Sequence, residues 1–243
     1  MTTSNSERFL NAFSLIENEM TKRMHSTHYV SYVEMARRLA KVDKTYRRYR
    51  RYLEEFADLR NAIVHERIDG EVIAEPHLKE VEKIEQIAQI LSEPEKVFPR
   101  FKRHVEIAFM DEKLALVVSR MKPKHYSKLP VYNREGIYEG LLTTDAFSYF
   151  VVDYIKDINC DFPDVQVKEV IEFDQKGRHV RFFSRHATLV EVIMEFEQAL
   201  YSGQRLNEII ITEHGEMHES PIGIISVSDL PNIYSAVNKN LIL

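Results

Sequence analysis

The sequence predicts an α+β protein, with an N-terminal four-helix bundle followed by two small mixed βα units of the same order. Three observations carry this reading. No glycine or proline occurs before Gly70 and Pro76, so the first stretch lacks both helix breakers. From residue 97 onward, short apolar runs alternate with helix-period stripes. A glycine-led motif then occurs twice, as Gly223-Ile-Ile-Ser226-Val-Ser-Asp229 and as Gly140-Leu-Leu-Thr143-Thr144-Asp145.

The first helix opens at Ser4, with Glu7 three residues on, the spacing of a capping box. Phe9, Phe13, Ile16 and Met20 follow at three- and four-residue steps and make one apolar stripe. A second helix carries Tyr32, Met35, Ala36 and Leu39. A third runs from about Thr45 to His65 with Tyr49, Tyr52, Phe56, Leu59 and Ile63 inward. A fourth, near Leu78 to Ser92, turns Val81, Ile84, Ile87 and Leu91 to the core. Four amphipathic helices in succession form a bundle.

Glu93-Pro94-Glu95-Lys96-Val97-Phe98-Pro99 breaks the helical period and marks a domain boundary. Beyond it, Val105 to Phe109 reads as a strand, Leu114, Val117, Val118 and Met121 as a helix face, and Leu129 to Tyr132 as a strand. A helix with Phe147, Phe150, Val151 and Tyr154 follows Gly140. The order then repeats: a strand at Val180 to Phe183, a helix with Leu189, Val192, Ile193 and Phe196, strands at Ile209 to Ile211 and Ile222 to Ile225, and a last helix from Asp229. The expected limits are residues 1–95, 96–160 and 161–243.

In each copy of the repeated motif an apolar strand ends in a hydroxyl residue, with a carboxylate close behind at a helix start. Such a layout suits a nucleoside: a hydroxyl and a helix N-terminus face phosphate, and a carboxylate accepts from ribose hydroxyls. Ser-x-x-Asp is equally ordinary capping chemistry, and the residues alone leave both readings open. In the first copy Asp145 follows Thr143 by two residues rather than three, and Ala146 holds the third place. One helical residue turns a side chain by about 100°, so Asp145 is expected to point elsewhere.

Residues 97–240 resemble a tandem pair of CBS domains, a Bateman module. The resemblance is carried by Ser127-Lys-Leu-Pro-Val131, Val167-Lys-Glu-Val170-Ile171, Ala187-Thr188-Leu189 and the two glycine motifs, of which Gly223 to Asp229 fits throughout. It implies a regulatory adenine nucleotide or adenosine derivative (AMP, ADP, ATP, a cyclic dinucleotide or S-adenosylmethionine) and no metal. It places Asp229 on the ribose, Ser226 on ribose or phosphate, and Val180 and Ile209 against the base. In the first unit it assigns Thr143, Val105 and Pro130 to the matching places, with Asp145 as the displaced carboxylate.

Arg60-Asn61-Ala62-Ile63-Val64-His65 at the end of helix three resembles the HEPN family of small helical bundles. That resemblance implies a metal-independent ribonuclease assembled across a dimer, with His65 moving protons, Arg60 stabilising charge on phosphate and Asn61 orienting either group. Arg-x4-His spacing also occurs at Arg23, Arg120 and Arg181, but only Arg60 is followed by asparagine. The alternatives are therefore a nucleotide-gated ribonuclease and a regulatory binding protein without chemistry of its own. Both resemblances imply a homodimer.

The segment Arg37 to Arg51 is strongly basic, and Tyr46, Tyr49 and Tyr52 interleave with its cations. It could serve as an RNA face by charge and stacking, or as a solvated face in which Arg50 and Arg51 pair with Glu54 and Glu55. The chain's 44% apolar and 29% charged content and its net charge of −5 fit a soluble globular protein and argue against one dominated by nucleic acid. No run is long enough to span a bilayer, and the lone Cys160 has no partner for an internal disulfide, which suggests a cytoplasmic location without a membrane partner. The ten histidines include no set with metal-ligand spacing.

Overall fold

The computed structural model describes residues 4–26, 28–65, 67–68, 71–72, 75–154, 164–174 and 178–237. Its contacts divide the chain into two compact units. One comprises residues 1–95, 188–194 and 231–243, the other residues 96–187 and 195–230. Cys160 and the limit expected at residue 160 lie outside the described residues.

The helical unit begins with α1 (Asn5–Met24), whose N-cap Ser4 accepts from the Glu7 backbone N–H at 3.2 Å. The Glu75 carboxylate adds to this end by accepting from the Asn5 N–H at 2.8 Å and from the Ser6 hydroxyl. These donors hold its carboxyl below the ordinary glutamate range. In α2 (Tyr32–Val42) the cap is Ser31, and Asp43 opens α3 (Lys44–His65) by accepting from Thr45 N–H at 2.7 Å. A short antiparallel pair, β1 (Arg67–Ile68) with β2 (Glu71–Val72), precedes α4 (Leu78–Ser92). The sequence pattern does not announce this pair.

The apolar stripes meet in a bundle, with α1 on α4 and α2 on α3. Phe9 meets Phe56 edge-on with ring centroids 5.8 Å apart, and Phe13 stacks on Tyr32 at 4.1 Å. Tyr46 and Leu53, absent from the expected inward face of α3, are also fully buried.

The second unit holds two three-stranded sheets of one design. In the first, β3 (Ala108–Phe109) runs parallel to β4 (Lys128–Tyr132), which pairs antiparallel with β5 (Tyr138–Thr143). In the second, β6 (Arg178–Ser184) runs parallel to β7 (Arg205–Thr212), which pairs antiparallel with β8 (Gly223–Ser226). Helices α5 (Leu114–Met121), α6 (Thr144–Tyr154) and α7 (Val167–Ile171) accompany the first sheet; in chain order α8 (Leu189–Tyr201) comes after β6 and α9 (Leu230–Val237) after β8. Val117, Leu129, Val131, Leu142, Ala146, Phe150, Val167 and Val170 form one buried cluster around the first sheet. The bundle followed by two mixed sheets with helices is the fold class the sequence predicts.

The strand expected at Val105 to Phe109 is shorter, because only Ala108 and Phe109 pair with β4. Residues just before it pair elsewhere: Lys102 bridges to Gly223 antiparallel, and the Arg103 N–H donates to the Ile222 carbonyl at 3.4 Å. This lead-in explains the glycine of the second motif. A Cβ on Gly223 would lie 2.3 Å from the Phe101 carbonyl oxygen and 3.2 Å from Ile211 Cδ1. The matching Gly140 is different, since a Cβ there would meet only Ile171 Cδ1 at 3.5 Å.

The two motif glycines should therefore respond differently to a methyl group. Gly223→Ala is expected to cost about 1–3 kcal/mol by displacing the lead-in strand, whereas Gly140→Ala should stay within about 0.5 kcal/mol of the parent. Urea denaturation of both variants checks this, and equal midpoints would contradict it.

Candidate functional site

A cleft of about 320 Å³ opens in the second unit where the lead-in, β4, β7 and β8 converge. Residues 103–106 and 125–130 form one wall, and Glu208, Ile224, Ser226 and Ser228 form the other. His125 sits in the left-handed region at φ 52°, which ends the turn after α5 and brings Tyr126 and Lys128 to the rim.

Asp229 stands beside the cleft at the foot of β8. Its Oδ2 accepts from the Ser226 backbone N–H at 2.8 Å and from the Ser226 hydroxyl at 3.2 Å, closing the turn that leads into α9. The same oxygen accepts from Arg103 Nη2 at 2.8 Å. Among the described residues Oδ1 has no protein donor. The Ser226 hydroxyl also lies 2.6 Å from that of Ser228. Arg103 donates further to the Ile224 carbonyl, from Nε at 2.7 Å and from Nη2.

Deeper in, Lys128 Nζ bonds Glu208 Oε1 at 3.0 Å, joining β4 of one sheet to β7 of the other. Glu208 is 5% exposed. Burial pushes its carboxyl above the ordinary glutamate value, against the opposing pull of Lys128 and Arg103. Glu106 at the other end bonds Lys124 Nζ at 2.6 Å, which holds its carboxyl low.

The structure gathers Ser226, Val105 and Pro130 into this one cleft, with Asp229 next to it. Val105 and Pro130 therefore stand with the second motif, whereas the resemblance had assigned them to a first-unit site. Their lead-in and strand face β8. Ile209 is fully buried in β7, and Val180, half-buried on β6, pairs in register with Glu208, so neither lines the cleft. Thr143 is buried and accepts from the Ala146 N–H at 3.1 Å, serving as the cap of α6. Asp145 is exposed on that helix, and Ala146 takes the buried place. Neither Thr143 nor Asp145 lines the cleft.

Arg103, Lys128 and Glu208 escaped the sequence reading. One signal was available: Glu208 interrupts a strand that is otherwise isoleucine-rich and buried, and such a charge calls for a partner.

In the helical unit, Arg60 Nη1 donates to Asn61 Oδ1 at 3.4 Å, while the side chain of His65, the last residue of α3, lies outside the described residues. The basic segment is internally paired, with Arg37 on Glu54 at 2.9 Å, Arg38 on Glu34 at 2.6 Å and Arg51 on Glu55 at 2.8 Å. Tyr46 and Tyr49 are buried and so cannot stack on bases. Among the described residues no group of three His, Cys, Asp or Glu could hold a metal ion, and no helix is long and apolar enough to cross a membrane.

No family model matches the sequence, and no curated protein matches it. Solved structures do. The chain is similar to CBS-domain proteins. A CBS domain-containing protein from Kribbella flavida aligns at 15% identity and TM-score 0.43, over 55% of this chain and 95% of its own. The CBS domain pair of protein MJ0100, in complex with 5′-methylthioadenosine and S-adenosyl-L-methionine, aligns at 10% identity and TM-score 0.42, over 59% and 98%. An uncharacterized conserved protein from Pyrococcus horikoshii aligns at 21% identity and TM-score 0.40, over 57% of this chain; the alignment spans about half of that protein, 53%.

The buried ion pair makes a sharp prediction. Lys128→Met leaves Glu208 without its cation and should destabilise the protein by about 3–5 kcal/mol at neutral pH. Because the folded-state carboxyl is raised, its favourable contribution is present at low pH and lost as pH rises through the folded value. The penalty should therefore be smaller at pH 5 than at pH 8. Denaturant melts at both values test the sign, and a penalty that shrinks as pH rises would refute it.

Proposed function

We propose that the protein is an adenine-nucleotide-sensing regulatory protein whose adenosyl ligand sits in the cleft beside Asp229. The observation that carries the reading is the state of the Asp229 carboxylate. Two Ser226 donors fix its orientation through one oxygen, and the other oxygen is left for a ribose diol. The Ser226 hydroxyl stands at the strand end, where ribose or a 5′ group would pass. Val105, Tyr126 and Pro130 supply the apolar and aromatic surface that a purine needs. The full match of Gly223 to Asp229 with the CBS motif supports the same assignment.

The arrangement also supplies a way to report occupancy. Arg103 and a ribose diol would share one carboxylate, on Oδ2 and Oδ1 respectively, and Arg103 belongs to the lead-in segment bridged to β8. A bound ligand would be felt by that segment through the shared carboxylate, with the Arg103 pair still in place. In this reading the change modulates self-association or partner contact of the helical segment, with a homodimer as the working assembly.

Differential scanning of the purified protein with adenosine, AMP, ADP, ATP, a cyclic diadenylate and S-adenosylmethionine provides the test, with guanosine as control. A ligand at a hundredfold its Kd adds about 2.7 kcal/mol, which in a chain of this size raises Tm by roughly 5 °C or more. Asp229→Ala should remove most of that shift while retaining the far-UV circular dichroism of the parent. No shift with any adenosyl compound, or a full shift in Asp229→Ala, would defeat the assignment.

A further inference from the structure

The fixed charges of the cleft are committed to one another. Arg103 commits Nη2 to Asp229 Oδ2 at 2.8 Å and, together with Nε, to the Ile224 carbonyl, so it has Nη1 but no bidentate edge to offer a phosphate. Lys128 is held at 3.0 Å by Glu208, which is almost out of water. Drawing Lys128 toward a phosphate would strand that carboxylate without cation or solvent. The third carboxylate, Glu106, faces the cleft with its own partners Lys124 and Arg120 behind it. A polyphosphate entering here would meet three carboxylates and cations already paired with them.

We infer that the cleft selects adenosine derivatives whose 5′ substituent is uncharged or cationic over those bearing a polyphosphate, and that the Arg103–Asp229 and Lys128–Glu208 pairs set this choice. The inference rests on the adenosyl reading of the site. A nucleoside needs only the Asp229 oxygen, the Ser226 hydroxyl and the apolar wall, none of which requires an ion pair to open. A triphosphate must break a pair or lie beside the paired Glu106 and Glu208 with no cation of its own, and uncompensated charge in a partly desolvated cleft weakens binding steeply.

Isothermal titration of the wild-type chain with adenosine, AMP, ADP and ATP, at one ionic strength and without divalent cation, tests the choice. Affinity should fall along the series, with ATP about tenfold or more weaker than adenosine. Glu208→Gln releases the Lys128 ammonium and should narrow the ATP-to-adenosine gap by about tenfold. ATP binding as tightly as adenosine, or a folded Glu208→Gln variant with an unchanged gap, would overturn the inference while leaving the adenosyl reading in place. If Glu208→Gln does not fold, the wild-type series decides alone. Failure of all four compounds to bind would instead remove the adenosyl reading, and this inference with it.

Discussion

The close approach of the Phe101 carbonyl to Gly223 is the contact on which the second unit's chemistry depends. Only a residue without a side chain lets the lead-in strand lie this near β8. Once the strand is there, Arg103 follows it and reaches both the Ile224 carbonyl and Asp229. The same placement carries residues 104–106 to the cleft wall. Backbone packing, a long-range ion pair and the shape of the site thus share one origin.

The two copies of the glycine motif show how a repeat diverges under local rules. Both end a strand in a hydroxyl that starts a helix. In the first, Thr143 turns its oxygen to the Ala146 N–H and is sealed in the core. In the second, the Asp229 carboxylate joins Ser226 in a reciprocal capping box, and Ser226 stays at the surface of the cleft. One residue of spacing separates a structural cap from a cap that also faces solvent. The burial of Ala146 makes the difference durable, because a carboxylate in its place would enter the cluster around Phe150 and Val170.

The helical half was legible because its signals are local. The cap at Ser4, stripes of three- and four-residue period, and the lack of early breakers act within one or two turns. The strand order was legible for the same reason. What escaped was decided by residues far apart in the chain, as when Arg103 meets Ile224 and Asp229, and Lys128 meets Glu208. Nothing near Val105 announces that the segment before β3 will bridge to β8 at Gly223. The tyrosines of α3 misled in the other direction: their interleaving with arginines suggested a stacking surface, yet helical period turns Tyr46 and Tyr49 into the core while the cations stay outside.

The Lys128–Glu208 pair has a consequence for how β7 finds its place. The strand offers Ile209, Ile210 and Ile211 in succession, and such a run matches a neighbouring strand almost equally well in more than one alignment. Side chains alternate faces, so a slip by one residue would turn Glu208 to the opposite side of the sheet and away from Lys128. The misaligned sheet would then hold a buried carboxylate with no cation, an arrangement far costlier than any isoleucine mismatch. A single charge in a greasy strand thus acts as an index mark, allowing one pairing among several that hydrophobicity alone would accept.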